Sequence, residues 1–335
     1  LLDRADALDL GRGVEQDDRM AYRWYRRAAK LGDPSAQNNI GWLYQEGRGV
    51  EQDDERALRW YMFSADQGHA PAQNNIGWMY QEGRGVERSD AEALRWYRRA
   101  AEQGDPTAQN NLGHMYQEGL GTERDDVEAV HWFRRAAEHG DAAAMHNLGF
   151  MCQEGRGIEP SDAEALKWYR VSAELGYLPA LNSLGWMYQE GRGIERNDEE
   201  AVQWYRQAAE EEYAPAQTSL GNMFREGRGV ERDELAAVEW YRKAAEQGDP
   251  IAQHHLGMMY LAGEGVDPDP AEALQWLRRA ADQDYPPAQF QIGEAYEKGL
   301  GVEADAKKAM FWFNKAAEFG DEAAEKKLRP LSDNG

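Results

Sequence analysis

The sequence predicts an all-α fold, a solenoid of about nine 36-residue helix-turn-helix repeats. Nine tryptophans recur at a single step of 36 residues, with no insertion or deletion between them: Trp24, Trp60, Trp96, Trp132, Trp168, Trp204, Trp240, Trp276 and Trp312. A fixed period of this length is typical of stacked two-helix units. Within each period the apolar residues follow a helical spacing twice, which predicts two helices in every repeat.

The first helix of each repeat, helix A, is clearest in residues 34–46. Its apolar residues recur on one helix face, as Ala36, Ile40, Leu43 and Tyr44. Asp33 and Pro34 are suited to its start, because an aspartate accepts hydrogen bonds from the first turn and a proline there withholds no needed donor. Gly47 is suited to end the helix in a left-handed conformation.

The second helix, helix B, follows after a short turn with two glycines. Its apolar residues again lie on one face, as Ala57, Leu58, Tyr61, Ser64 and Ala65. The residue before it is always a good N-cap: Asp17, Asp53, Ser89, Asp125, Ser161, Asn197, Asp233, Asp269 and Asp305. Helix B is expected to end near a glycine such as Gly68, which Glu212 and Asp284 replace in two repeats.

A glycine stands in the middle of every full helix A, at position 41 and its seven equivalents. Glycine inside a helix costs about 1 kcal/mol relative to alanine. Because the chain repeats this cost eight times, we expect helix B to approach helix A closely at that point.

Composition narrows the function classes. The formal net charge is −23, which argues against a nucleic-acid or anionic-membrane ligand and favours neutral or basic partners. No apolar run approaches the ~18 residues of a membrane span, and no signal peptide is recognisable. We therefore expect a soluble protein without direct membrane insertion, for which cytoplasmic, periplasmic and secreted locations all stay open. Cys152 is alone and aligns with buried tyrosines, so a buried, unreactive thiol is expected.

These residues resemble the Sel1-like repeat, a branch of the tetratricopeptide superfamily. The motif A-x-x-x-L-G-x-M-Y-x-x-G-x-G-V, followed by A-L-x-W-Y-x-x-A-A-x-x-G, is matched closely by 72–86 with 93–104, where isoleucine takes the place of the leucine. The resemblance covers about residues 8–328. It implies a right-handed superhelix with the A helices on its concave face and a role as an adaptor or scaffold, in bacteria often linked to the envelope or to host interaction. We expect a single solenoid over 1–335, with a degenerate half repeat at 1–16 and a capping helix and tail at 321–335.

The candidate site is the side of helix A opposite the core. Asparagine and glutamine can bond an extended peptide backbone, and aromatic side chains often anchor interfaces. The predicted partner-binding residues are Asn38, Asn39, Trp42, Gln45, Asn74, Asn75, Trp78, Gln81, Asn110, Asn111, His114, Gln117, His146, Phe150, Asn182, Trp186 and Gln189. This face carries few cations and a row of glutamates after position 45, so a neutral or basic protein segment suits it better than a carboxylate.

Two alternatives to a peptide groove stay open. Trp42, Trp78 and Trp186 could instead pack within the stack, with the asparagines joining neighbouring repeats. The same residue types also suit carbohydrate or another polymer, since exposed indoles stack on sugars. The nine helix-B tryptophans are assigned to packing, and the arginines of helix B to a solvated face with local ion pairs.

Catalytic chemistry is not indicated. The sequence contains no S-x-x-K, G-x-S-x-G, H-E-x-x-H or C-x-x-C motif. His254 and His255 are adjacent and point about 100° apart on a helix, which suits joint metal ligation poorly. We expect neither an enzyme nor a cofactor or metal.

Overall fold

The computed structural model describes residues 1–328, and its regular structure is entirely helical in that range. Its nineteen helices confirm the predicted all-α solenoid. They are α1 Leu2–Leu10, α2 Asp18–Ala29, α3 Pro34–Glu46, α4 Asp54–Ala65, α5 Ala70–Glu82, α6 Asp90–Glu102, α7 Pro106–Glu118, α8 Asp126–Glu138, α9 Ala142–Glu154, α10 Asp162–Glu174, α11 Leu178–Glu190, α12 Asp198–Glu210, α13 Ala214–Glu226, α14 Glu234–Glu246, α15 Pro250–Ala262, α16 Pro270–Ala281, α17 Pro286–Lys298, α18 Ala306–Glu318 and α19 Glu322–Leu328.

The odd-numbered helices up to α17 are A helices and the even-numbered ones are B helices. The chain divides into two compact units: unit 1 is residues 1–175, with α1 to α10, and unit 2 begins at residue 176. Helix α19 lies where the sequence predicts a capping helix, and its capping role stays a prediction; the rest of the predicted tail lies outside the described residues. Within residues 1–328, no helix combines the length and the apolar character that crossing a membrane requires.

The helix boundaries follow the predicted capping residues. All nine predicted N-caps of the B helices accept a hydrogen bond from a backbone N–H of the first turn. Gly47 ends α3 with φ 68°, as expected for a left-handed cap. The B helices end slightly earlier than expected: α4 stops at Ala65, and Gly68, at φ 85°, lies in the turn that follows. Glu212 and Asp284 adopt the same left-handed region, at φ 60° and 57°.

Each A helix packs against the B helix that follows it through the recurrent mid-helix glycine. A Cβ added at Gly41 would lie 2.6 Å from the ring of Tyr61, and at Gly77 it would lie 2.7 Å from the ring of Tyr97. Both tyrosine rings are fully buried. The expected close approach is therefore confirmed. Its cause is a buried side chain of helix B, which is an aromatic ring at seven of the eight glycines and Leu277 at Gly257.

The helix-B tryptophans pack between consecutive repeats. Trp132 is buried among Ala93, Leu94 and Tyr97 of the preceding B helix in unit 1, and Trp276 is buried in the same way in unit 2. The other seven are half-buried. This placement agrees with the packing role assigned to the nine helix-B tryptophans.

A glutamine in each of several A helices is buried against the B helices on both sides. Gln73 accepts a hydrogen bond from Gln103 at 2.6 Å. Its equivalent in the next repeat, Gln109, is fully buried and donates to the carbonyl of Ala101 at 3.1 Å. However, the Oε1 atom of Gln109 has no donor, because His139 stands where the partner glutamine would be. The His139 ring contacts its own helix instead, with Nδ1 2.8 Å from the carbonyl of Arg135.

We expect His139→Gln to stabilise the protein by about 1 kcal/mol, because it supplies the missing donor and an unsatisfied buried acceptor costs about 1–3 kcal/mol. Urea unfolding followed by circular dichroism measures this. The matched control is Gln103→His, which creates the same defect at Gln73 and should destabilise by a similar amount. Equal stability of His139→Gln and the parent would contradict the assignment.

Candidate protein-binding surface on the A helices

The predicted site residues lie on one side of the A helices, called here the A-helix face. Fourteen of them belong to unit 1, on α3, α5, α7 and α9, and the other three belong to α11 in unit 2. His114 is exposed, and all the others are half-buried. The sequence placed these side chains opposite the core, but it did not anticipate how far neighbouring side chains cover them.

The asparagines join neighbouring A helices of unit 1. In each pair the Nδ2 atom of one asparagine donates to the Oδ1 atom of an asparagine in the helix before it, at 2.9–3.0 Å: Asn75 to Asn38, Asn111 to Asn74, and Asn147 to Asn110. These bonds favour the packing alternative for the atoms involved. Within unit 1, the Nδ2 atoms of Asn74 and Asn110 donate to no protein group, so each keeps two N–H donors.

The glutamines of the first repeats are tied to helix B. The Tyr61 hydroxyl donates to Gln45 Oε1 at 2.9 Å, and the Tyr97 hydroxyl donates to Gln81 Oε1 at the same distance. Tyr61 and Tyr97, whose rings pack against the mid-helix glycines, therefore also hold Gln45 and Gln81 in place through their hydroxyl groups. Part of the hydrogen-bonding capacity on this face is therefore used by the fold.

The tryptophans of this face are partly covered by arginines from the turn after helix A. The guanidinium of Arg48 lies 4.7 Å from the ring centroid of Trp42, and that of Arg84 lies 5.2 Å from Trp78. Arg84 also binds Asp54 of the preceding repeat through two hydrogen bonds of 2.8 and 3.0 Å. A fixed cation over an indole is a favourable arrangement, and it occupies one side of each ring.

The fifth A helix of unit 1, α9, departs from the pattern. The His146 ring packs 5.3 Å from that of Tyr169, and burial lowers the pKa of His146, which favours the neutral form. Phe150 replaces tryptophan, with the guanidinium of Arg156 6.0 Å from its ring. Both side chains therefore make packing contacts while staying half-buried.

In unit 2 the three predicted residues of α11 repeat the arrangement of the first repeats. Gln189 accepts from the Tyr205 hydroxyl at 2.9 Å, and the Arg192 guanidinium lies 5.6 Å from the ring of Trp186. Asn182 accepts a hydrogen bond of 3.3 Å from the hydroxyl of Ser219 on α13, which stands at the position of Asn75 and Asn111.

Helix α7 differs, because two structural partners are missing from its repeat. Phe133 stands where the other repeats of unit 1 have tyrosine, so it has no hydroxyl, and the side chain of Gln117 has no hydrogen-bond partner within unit 1. Leu120 stands where the other repeats of unit 1 have arginine, and no cation of unit 1 covers His114, which is exposed. Together with the free donors of Asn110, α7 therefore carries three polar side chains with capacity that unit 1 does not use.

The charge along the A-helix face of unit 1 is negative. An exposed glutamate ends each A helix from α3 to α9: Glu46, Glu82, Glu118 and Glu154. The arginines of the adjoining turns do not offset these charges, because Arg48, Arg84 and Arg156 form ion pairs with aspartates of the preceding repeats. A carboxylate would be repelled from this face, and a cationic or neutral group would not.

The other titratable clusters do not resemble reactive centres. In unit 2, burial and then the neighbouring Arg225 lower the pKa of His254 to about 4 and that of His255 to about 3, so both are neutral at pH 7. Burial raises the pKa of the Cys152 thiol, as expected for a packed cysteine. Among residues 1–328, no group of three or more His, Cys, Asp or Glu side chains is placed to hold a metal.

Comparison with known proteins gives a consistent result. The Sel1 repeat family matches nine consecutive stretches: 4–33, 34–69, 70–105, 106–141, 142–177, 178–213, 214–249, 250–285 and 286–321. The structure of c5321, a protective antigen of uropathogenic Escherichia coli with an SLR fold, is 34% identical with a TM-score of 0.58, covering 98% of this chain and 80% of that one. A Sel1 repeat protein from Oxalobacter formigenes is 32% identical with a TM-score of 0.64, covering 94% and 93%. No curated protein matches this chain.

Proposed function

Because the chain belongs to the Sel1 repeat family, whose fold is typical of protein-interaction scaffolds, we propose that it binds an extended segment of a partner protein on the A-helix face. The observation that carries the proposal is the unused hydrogen-bonding capacity of Asn110, His114 and Gln117 on α7. An extended backbone alternates N–H and C=O groups that lose water on binding and need replacement partners. A side-chain amide offers both a donor and an acceptor, so these residues suit such a backbone.

The surroundings support a neutral or basic segment. Glu82 and Glu118 are exposed at the ends of α5 and α7, where they attract a lysine or arginine of the ligand. Trp78, half-buried on the adjacent A helix, gives an apolar neighbour for a ligand side chain. In this proposal the chain is not an enzyme, carries no cofactor and binds no nucleic acid.

Carbohydrate is the weaker candidate. Sugar rings stack on open indole faces, but Arg48 and Arg84 cover one side of Trp42 and Trp78. Helix α7, which carries the unused groups, also has His114 where α5 has Trp78. A titration of tryptophan fluorescence with oligosaccharides tests this candidate, and quenching stronger than that caused by peptides would favour it over the protein ligand.

The test introduces near α7 the two residues that the other repeats of unit 1 have at these positions, so that the unused groups gain partners within the protein. In the double variant Leu120→Arg/Phe133→Tyr, the new tyrosine hydroxyl should bond Gln117 as Tyr97 bonds Gln81, and the new arginine should pair with Asp90. We expect at least a tenfold loss of affinity, about 1.4 kcal/mol, without loss of stability, so unfolding could not explain the result.

The ligands for this test are peptides enriched from a phage-displayed library of random 12-residue sequences, with affinity measured by fluorescence polarisation. We expect neutral or basic sequences. Asn110→Asp is the second variant: it keeps the acceptor that Asn147 uses and replaces the free donors with a carboxylate oxygen. Its affinity is compared on a neutral peptide, because the added negative charge would attract a basic one. Equal affinity of parent and both variants, or enrichment of acidic peptides on this face, would contradict the proposal.

A further inference from the structure

The outer side of the B helices in unit 1 carries a concentration of positive charge that the proposed function does not use. It comprises positions 95, 98 and 99 of α6 and their equivalents in α2, α4, α8 and α10, called here the cationic stripe. Eleven of these fifteen positions hold Lys or Arg and none holds Asp or Glu, although the chain has 61 acidic and only 38 basic residues. All but two of the fifteen side chains are exposed. Basic residues are therefore concentrated on this side of the B helices, and acidic residues are absent from the fifteen positions.

Local ion pairs account for only part of the stripe. Arg95 pairs with Glu92 at 2.6 Å, and Lys167 pairs with Glu164 at 2.5 Å. In contrast, Arg26, Arg59 and Arg134 form no ion pair within unit 1. The expectation of a solvated face with local pairs therefore holds for some members of the stripe and leaves other cations available.

The stripe also contains aromatic surface. Arg27, Arg99 and Arg135 lie 4.8–5.1 Å from the ring centroids of the tryptophans three residues before them. On α6, Trp96 together with Arg95, Arg98, Arg99 and two glutamates lines a shallow depression of about 430 Å³. Arginine and tryptophan are the residue types that contribute most at protein interfaces.

The repeat fold does not require these cations. In unit 2 the equivalent positions include Gln203, Gln207, Glu239, Gln275 and Phe311, yet the B helices there have the same length and the same caps. Six of the twelve equivalent positions in unit 2 also hold Lys or Arg, among them Arg206, Arg242 and Arg278, and uncharged side chains fit at others. Cations are therefore denser on this surface in unit 1 than the fold requires.

The shape of the stripe limits what can bind there. It is about one helical turn wide along each B helix, ~5 Å, and acidic residues flank it on both sides, such as Asp90 and Glu102 on α6. A duplex nucleic acid or a lipid surface is wider and would meet these acids. A single extended chain that crosses the helices would avoid them. Packed helices lie about 8–10 Å apart, which is about three residues of extended chain.

We propose that the cationic stripe of unit 1 binds an extended acidic segment of a second partner protein, with a carboxylate on about every third residue. The net charge of −23 does not prevent this, because fields from charges beyond about 8 Å are screened at 0.15 M salt. The scaffold would then hold two partners of opposite charge preference, one on the A-helix face and one on the B helices.

The test uses a fluorescein-labelled 15-residue peptide of repeated Glu-Gly-Ser units at 0.15 M salt. We expect Arg26→Gln/Arg59→Gln/Arg134→Gln to bind it about tenfold more weakly. The control, Arg206→Gln/Arg242→Gln/Arg278→Gln, changes net charge equally in unit 2 and should change affinity less than about threefold. A peptide of the same composition with all glutamates at one end should bind more weakly than the regular one.

Three outcomes would overturn the proposal: no binding to the parent protein, equal losses in both triple variants, or tighter binding of a dT15 oligonucleotide or heparin than of the peptide. The Leu120→Arg/Phe133→Tyr variant should bind the acidic peptide normally. The two proposals can therefore fail separately.

Discussion

Gly85→Ala is expected to destabilise the protein by about 2–5 kcal/mol, a large effect for one methyl group. Gly85 is the second glycine of the turn after α5 and has φ +66°. A Cβ atom there would lie 2.5 Å from the carbonyl carbon and oxygen of Asp54, at the start of the preceding B helix. The left-handed backbone costs about 1–2 kcal/mol. The overlap adds about 1–3 kcal/mol, because a backbone group within a helix cannot move aside.

Two further glycines separate these contributions in the same urea experiment. Gly104 has φ +92° with nothing within 4 Å of its added Cβ, so Gly104→Ala reports the conformational cost alone and should cost about 1–2 kcal/mol. Gly77 is helical and the atom nearest its added Cβ is in the ring of Tyr97, at 2.7 Å, so Gly77→Ala reports the steric cost less the ~1 kcal/mol that alanine gains inside a helix. If Gly85→Ala cost no more than Gly104→Ala, the close approach between successive repeats would be wrong.

The fold could be predicted well from the sequence because its determinants are local and repeated. The N-cap residues, the glycine turns and the apolar spacing act within one helix or one turn, and the 36-residue register aligns nine copies of each. The mid-helix glycine even predicted a contact between helices, since its cost needed a steric reason. Which ring fills that space, Tyr61 or another, could not be read from one helix alone.

The candidate site could be predicted only as a face. The sequence identified Asn110, His114 and Gln117 together with the other polar and aromatic side chains of the A helices. It could not tell which of these side chains are already bonded within the fold and which are open to a ligand. The structure distinguishes them, because hydrogen bonds link residues about 16 or 37 positions apart that a single-helix argument treats separately. Phe133 and Leu120 are visible as departures from the repeat, yet their meaning depends on knowing which side chains their usual counterparts contact.

Arg156→Ala is the second change for which we expect a large effect, a loss of about 2 kcal/mol at pH 7. The guanidinium of Arg156 binds Asp126 of the preceding repeat through bonds of 2.8 and 3.3 Å and donates to the Gln117 carbonyl at 3.1 Å. The two side chains are only 22% and 21% exposed. Hydrogen bonds to charged groups contribute about 1.5–3 kcal/mol, and this network exists only when the two repeats are folded together.

The loss should depend on pH in a defined direction. Hydrogen bonds from Arg124 and then Arg156 lower the pKa of Asp126 from 3.8 to about 2. Because the pKa is lower in the folded protein, the carboxylate contributes its full stabilisation above about pH 4, and this contribution declines as the pH falls towards 2. After allowance for screening by solvent, we expect about 1–2 kcal/mol to be lost over that range.

Urea unfolding at pH 7 and at pH 3 tests both parts, with Arg124→Ala as the matched control. Arg124 also binds Asp126, at 2.7 Å, but it is only two residues away and 57% exposed, so the pair can form in the unfolded chain as well. We expect Arg124→Ala to cost less than about 1 kcal/mol at pH 7. The difference between the parent protein and Arg156→Ala should be smaller at pH 3 than at pH 7. At pH 3 the Asp126 carboxyl is already protonated in most unfolded molecules, and this favours unfolding more in the parent, whose folded state holds the carboxylate more strongly. A difference that stayed constant with pH would assign the loss to the carbonyl contact of Gln117 instead of to the ion pair.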